Sequence, residues 1–173
     1  MIEVEVKVRA QKDTEEKIVA LGATLLRVEN HRDLYFNSPL RDFKVSDEAL
    51  RIRIKEEGAR LTYKGPKLDL ETKSRLERTV KIDDPQQMEQ ILLSIGFELY
   101  AEVRKRRTKY SLDDVILALD EVVGLGNFLE VEAKGDHDWV MKKEKVLSIL
   151  KELGLGESIR SSYLELLEEI GYV

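Results

Sequence analysis

The chain opens on a run in which Ile2, Val4, Val6 and Val8 alternate with Glu3, Glu5 and Lys7. Successive side chains of a strand point to opposite faces. Residues 2–9 are therefore expected to form a strand, aliphatic on one face and carrying two carboxylates and an ammonium on the other. Two neighbouring oxygen donors suit a hard divalent cation, and the lysine beside them suits an anion.

The same division recurs along the sequence. Arg51 and Arg53 alternate with Leu50, Ile52 and Ile54, and Thr62 and Lys64 with Leu61 and Tyr63. Arg75, Glu77 and Thr79 alternate with Leu76 and Val80; Lys105, Arg107 and Lys109 share a face; Asp120 lies opposite Leu117 and Leu119; Glu130 and Glu132 alternate with Leu129, Val131 and Ala133. For any single strand the plain reading is the wet side of an antiparallel sheet. Taken together these faces are too rich in Arg and Glu for that. Helices need the apolar faces, so the charges must converge on one side. If the sheet curls into a barrel, they point into a polar lumen. Such a lumen collects Lys7, Arg9, Arg51, Arg53, Lys64, Arg75, Lys105 and Arg107 with Glu3, Glu5, Glu77, Asp120, Glu130 and Glu132. Buried charges require counter-ions. Arginine forks fit phosphate, while carboxylates at the same place ask for Mg²⁺ or Mn²⁺ to bridge them to phosphate oxygens. These residue types together point to a metal–polyphosphate site.

Strands are expected at 24–28, 32–36, 49–56, 60–64, 75–82, 97–102, 104–111, 114–122 and 128–134. The segment 49–64 reads as a hairpin turning at Glu57-Gly58 and broken by Gly65-Pro66, with a polar loop from there to Lys73. Asp13 with Glu16 forms a candidate capping box for a helix ending at Gly22. Asp84 with Pro85 starts a helix ending at Gly96, Asp138 starts one ending at Gly154, and Ser162 with Glu165 caps a short last helix. Asn37 to Glu48 reads as a loop closing over a site. There is an internal echo: Glu3 to Gly22 and Glu77 to Gly96 have the same spacing, and each half runs strand, helix, glycine, strand, strand.

With 173 residues, one core is the expectation, and residues 1–173 read as a single domain. A net charge of −5 disfavours a general nucleic-acid binder. No apolar run is long enough to span a bilayer, and charge from Glu3 onward predicts no secretory leader. Cys is absent, so there is no thiol chemistry. A cytoplasmic location is the expectation.

In their order along the chain, these residues resemble the CYTH, or triphosphate tunnel, family of class IV adenylyl cyclases, thiamine triphosphatases and inorganic tripolyphosphatases. Glu3-Val4-Glu5-Val6-Lys7 is similar to that family's ExExK signature. Leu50-Arg51-Ile52-Arg53, Lys64-Gly65, Arg75 with Glu77, Lys105 with Arg107, Asp120 and Phe128-Leu129-Glu130-Val131-Glu132 follow in the family's order. The resemblance implies an α+β fold, an eight-stranded antiparallel β-barrel with helices packed outside. It implies Glu3, Glu5, Asp120, Glu130 and Glu132 as ligands of Mg²⁺ or Mn²⁺, with Glu77 ligating metal or orienting an arginine. Lys7, Arg51, Arg53, Lys64, Arg75, Lys105 and Arg107 would grip phosphates. Arg32 to Asn37, Asp47 to Arg51 and Ser162 to Leu167 are most similar to the class IV cyclase branch.

The expected activity is therefore conversion of ATP to cyclic AMP and pyrophosphate, with inorganic tripolyphosphatase or thiamine triphosphatase as the alternative. Either Glu5 or Glu132 would accept the proton, and Lys7 would act beside them on the reacting phosphate. A triphosphate-binding sensor without turnover is the alternative of another class. The expected partner is a small triphosphate, with neither nucleic acid nor membrane, and a homodimer is the assembly to test. His31 and His137 read as structural or surface residues, Trp139 as packing, Tyr35 and Tyr163 as packed or capping, and Asp69, Glu71 and Lys73 as a solvated loop.

Overall fold

In a computed structural model, which describes residues 2–173, the opening alternation is realised as strand β1 (Ile2–Arg9). It is followed by α1 (Thr14–Ala20), β2 (Thr24–Asn37), β3 (Ala49–Lys55), β4 (Gly58–Lys67), β5 (Arg75–Ile82), α2 (Pro85–Ser94), β6 (Glu98–Leu112), β7 (Val115–Val122), β8 (Gly126–Gly135), α3 (Trp139–Leu153) and α4 (Tyr163–Glu169). The eight strands close into an antiparallel barrel in the order β1-β5-β4-β3-β2-β6-β7-β8. Exchanging each strand with the one four places later maps this ring onto itself. The sequence echo is therefore a real duplication of the architecture, and β1–β5 and β2–β6 are its two symmetric seams.

The outward aliphatic faces make the cores. Val4, Val6 and Val8 of β1 join Leu117, Leu129 and Val131 beneath Ile18 of α1 and Val146, Ile149, Leu150 and Leu153 of α3. Trp139 packs against that core from the start of α3. Leu92 of α2 covers Leu34, Phe36 and Ile52. At one end of the barrel Val103, Val122 and Phe128 meet Tyr163 and Leu167 of α4, so α4 lies over that mouth. Apolar burial of this kind contributes about 25 cal/mol per Å². Among the described residues, no helix is long and apolar enough to cross a membrane.

Several expected boundaries move. The segments 24–28 and 32–36 belong to one strand, β2, as do 97–102 and 104–111 in β6. The two expected segments of β2 meet across Glu29-Asn30-His31-Arg32-Asp33, in which Glu29, His31 and Asp33 are buried toward the lumen while Asn30 and Arg32 face solvent. A strand with water on one face and a wet lumen on the other is polar on both, and its period of two disappears. Gly65-Pro66 does not end β4, which continues to Lys67 through a register shift after Lys64. Such an irregularity tolerates a residue without an N–H. The β3–β4 turn falls at Glu56-Glu57, with Lys55 opposite Gly58.

The Asp13–Glu16 capping box is not formed. Asp13 lies outside the extended region, and its side chain makes no cap bond; instead Thr14 Oγ1 accepts from the Gln11 N–H at 2.7 Å. Asp84 does cap α2 through Gln87 N–H, and Ser162 and Glu165 form the full box on α4.

Barrel closure is short at β1–β5, where among the described residues Ile2↔Leu76 and Glu3↔Arg75 pair. The rest of that β1 edge is completed by loops: Lys73 N–H donates to the Glu5 carbonyl at 2.8 Å and Ile159 N–H to the Lys7 carbonyl at 2.7 Å. This seam brings the 68–74 loop and the segment before α4 onto the charged face of β1.

Candidate functional site in the barrel lumen

The inward faces enclose a cavity of about 820 Å³ lined by charged side chains from most of the strands. Glu3 and Glu5 of β1 and Glu132 of β8 each place a carboxylate oxygen within 4.8 Å of the others. The antiparallel register sets this cluster, because Glu5 stands opposite Glu132. Burial, with Glu3 and Glu5 nearby, pushes the Glu132 carboxyl up. Three converging carboxylates are at ease only with a proton or cation among them. An all-oxygen donor set is the kind that hard Mg²⁺ or Mn²⁺ takes, so the residues fit such an ion.

Asp120 and Glu130, also expected near the metal, are held in an ion-pair network. Asp120 accepts from Arg107 Nε at 2.6 Å, from Lys105 Nζ at 2.9 Å and from the Tyr163 hydroxyl at 2.8 Å. Arg107 also donates to Glu130, and Lys7 Nζ lies 3.8 Å from Glu130. Burial opposes ionisation of Glu130, but Lys105, Arg107, Lys73 and Lys7 hold it well below the usual carboxylate range. Lys7 is fully buried, donates to the Ser161 carbonyl at 2.7 Å and sits 4.0 Å from the centre of the Tyr163 ring. Burial and the neighbouring Lys73 push its pKa down. Tyr163, expected to be packed or capping, is both plug and hydrogen-bond donor.

The remaining expected phosphate-gripping cations differ in how occupied they are. Arg53 is chelated by Asp33 at 2.7 and 2.6 Å. Lys64 bonds Glu3 at 2.5 Å and lies 3.7 Å from Glu77. Arg75 lies 3.5 Å from Asp47, whose carboxylate also accepts from Lys67 Nζ at 2.6 Å. Arg51 has a buried Nε with no partner and only a 4.0 Å approach to Asp33. Glu77 is not one of the three converging carboxylates but adjoins Glu3; its Oε2 accepts no hydrogen bond, and Lys64, with Glu3, helps hold its carboxyl down to about 2 against burial. Arg9, expected in the lumen, instead ends β1 on the surface, donating to the Leu125 carbonyl and lying over Phe128.

The 37–48 segment borders the lumen through Asp42, Phe43, Lys44, Asp47 and Glu48. Phe43 against Phe97, and Lys44 3.2 Å from Glu168 of α4, fix it there. This is the position expected for a loop over the site.

Glu29, His31, Asp33, Lys55 and Lys73 line the lumen although the sequence did not mark them for it, while Lys109 keeps the face it shares with Lys105 and Arg107. Lys73 is the largest departure, for it is no solvated loop residue. Its Nζ donates to Glu5 Oε1 at 2.6 Å. A nearby turn holds it, with Thr72 Oγ1 donating to Asp69 and Arg160 donating to the Asp69 carbonyl. The only signal in the sequence was that Lys73 keeps the parity of Arg75 and Glu77. His137 remains on the surface, whereas His31 does not.

An eight-stranded antiparallel tunnel with an ionised interior and helices outside defines a class of protein by its fold. The CYTH domain model matches residues 1–163, and the chain belongs to the CYTH family. A protein of Methanocaldococcus jannaschii, provisionally named an adenylate cyclase, is 42% identical over 174 residues, covering 96% of this chain and 98% of that one. The PH1819 protein of Pyrococcus horikoshii OT3 superimposes with a TM-score of 0.90 at 43% identity, over 97% of this chain and 99% of that one. The fold also recurs, at 21% identity and a TM-score of 0.69 over 97% and 95% of the two chains, in a Hippeastrum protein. That protein is described as a provisional adenylyl cyclase with a dominant triphosphatase activity.

Proposed function

We propose that the chain is a single catalytic domain that acts on a triphosphate with a divalent metal, converting ATP to cyclic AMP and pyrophosphate. The observation that carries this reading is one shared lumen. It holds a three-carboxylate cluster (Glu3, Glu5, Glu132) and a half-buried Arg51 whose buried Nε is unpartnered, among further lysines and arginines. A pure anion binder has no use for the acidic cluster, and a pure cation binder none for Arg51. The M. jannaschii relative supports cyclisation as the reaction.

Mg²⁺ or Mn²⁺ at Glu3, Glu5 and Glu132 would neutralise phosphate charge and polarise the reacting phosphorus. Arg51, Lys64, Arg75, Lys105 and Lys7 would hold the phosphate oxygens, with charge-assisted hydrogen bonds strongest where negative charge grows. In cyclisation the 3′-hydroxyl oxygen bonds to the α-phosphorus, the bond from that phosphorus to the β-bridging oxygen breaks, and pyrophosphate leaves. Glu5 or Glu132 is the carboxylate placed to take the hydroxyl proton. Positioning in line, more than covalent chemistry, would supply the rate.

The test is incubation with Mg²⁺ or Mn²⁺ and, separately, ATP, tripolyphosphate and thiamine triphosphate, with products resolved. Cyclic AMP with pyrophosphate is the expected result. Orthophosphate without cyclic product would make the chain an inorganic tripolyphosphatase or a thiamine triphosphatase. Binding with no turnover would make it a sensor.

A further inference from the structure

On the β2 wall of the lumen, His31 has a buried hydrogen-bonding atom that the chain does not satisfy. The residue is 3% exposed. Its Nε2 lies 2.5 Å from Glu29 Oε2, and its buried Nδ1 has no partner. Burial opposes ionisation of Glu29, but bonds from His31 and Arg27 and the charges of Lys109 and Lys55 hold the carboxyl well below its usual range. An ionised carboxylate can only accept. Nε2 therefore carries the ring hydrogen, and Nδ1 is left as a bare acceptor. Burial, Arg53 and Lys105 push the imidazole down to about 3, which keeps it neutral near pH 7.

The neighbouring donors are already engaged. Lys55 and Lys109 lie 3.2 and 3.5 Å from Glu29. Lys105, the register partner of His31, bonds Asp120, and Arg53 is chelated by Asp33. A fully ionised phosphate oxygen has no hydrogen to offer and would face a lone pair. The group that completes the site is a neutral donor, a hydroxyl or an amino N–H. The cavity, about 820 Å³, falls within the range of about 300–1,000 Å³ typical of sites for drug-sized organic ligands. It leaves room for more than three linked phosphates.

We propose that Glu29 and His31 form a specificity subsite in which His31 Nδ1 accepts a hydrogen bond from a hydroxyl or amino group on the organic half of a nucleoside triphosphate, distinguishing it from inorganic tripolyphosphate. The proposal rests on the triphosphate reading of the lumen. Glu29 acts as a positioning residue, fixing the tautomer, and an unmade bond at a buried acceptor carries a penalty that discriminates between ligands.

The experiment is calorimetric titration, with Ca²⁺ in place of Mg²⁺, of the wild type and His31→Leu with ATP, 2′-deoxy-ATP, 3′-deoxy-ATP, inosine triphosphate and tripolyphosphate. In the wild type, one analogue lacking the recognised hydrogen is expected to bind about tenfold more weakly than ATP. His31→Leu is expected to bind ATP about tenfold more weakly, to lose the distinction between ATP and that analogue, and to weaken tripolyphosphate far less. Equal weakening of ATP and tripolyphosphate, or a wild type that binds every analogue as it binds ATP, would overturn the subsite and leave the triphosphate reading intact. The wild-type analogue series decides the matter even if His31→Leu does not fold. A wild type that binds none of these ligands would overturn both readings.

Discussion

The Lys73 ammonium lies 2.6 Å from a carboxylate oxygen of Glu5, a residue 68 positions away, and the Lys73 backbone N–H donates to the Glu5 carbonyl. A loop lysine thus neutralises one member of the acidic cluster. Replacing it by methionine leaves Glu5 beside Glu3 and Glu132 with one cation fewer. Breaking a buried pair of this kind costs about 3 kcal/mol, or about 10 °C in Tm for a chain this size. Lys73→Met should lose that much without metal and regain most of it with millimolar Mg²⁺. Thermal melts with and without Mg²⁺ check this; equal losses in both would mean that Lys73 does not stand in for a cation.

Glu5→Gln keeps the size and removes the charge of one of three converging oxygen donors. Metal-dependent turnover should fall by a factor of about 100 or more, with the far-ultraviolet circular dichroism unchanged. Chelation of the wild type by EDTA should give the same loss, reversed by added Mn²⁺. Survival of the activity in the variant would remove Glu5 from the metal site.

Arg51 and Arg53 are neighbours on one strand face with opposite expectations. Arg53 is already chelated by Asp33, whereas Arg51 has an unpartnered Nε. Arg51→Ala should raise the KM for the triphosphate by about tenfold or more at little cost in stability. Arg53→Ala should mainly destabilise, by about 3 kcal/mol, because it leaves Asp33 buried and unpaired. Kinetics and denaturant melts on the two variants would show the reverse ranking if Arg53 were the principal clamp.

Acid should weaken the fold through His31 and Glu77. Burial, then Arg53 and Lys105, hold His31 at about 3. From about pH 6.5 down to 3 the unfolded chain binds a proton that the folded chain refuses, so stability falls. Glu77 is held at about 2, where Lys64 helps overcome burial. Its contribution is complete above the unfolded value near 4.5 and is lost as pH falls toward 2. Urea melts across this range should show a shallower acid slope between pH 6.5 and 4.5 in His31→Leu than in the wild type. An identical slope would place the acid sensitivity elsewhere.

Ile2 to Val8 made β1, its two faces and its carboxylates readable, because period-two alternation is a local property set by backbone geometry. The same parity placed Arg51, Arg53, Lys64, Glu77, Lys105, Arg107, Asp120, Glu130 and Glu132 on inward faces before any barrel was known. It failed at Glu29-Asn30-His31-Arg32-Asp33, where both faces are wet, and at Lys73, which enters the lumen from a loop.

What only the tertiary structure decided is which charge meets which. Glu5 joins Glu132 because β1 and β8 are in register. Asp120 is taken up by Lys105 and Arg107 across β6 and β7, and Lys73 reaches Glu5 because the β1–β5 seam is too short to exclude a loop. The sequence by itself determined the sign and the face of each charge. The closed register, which sets distances between strands far apart in the chain, decided which carboxylates converge, which cations are already paired, and that Arg51 and His31 present unpartnered atoms in the lumen.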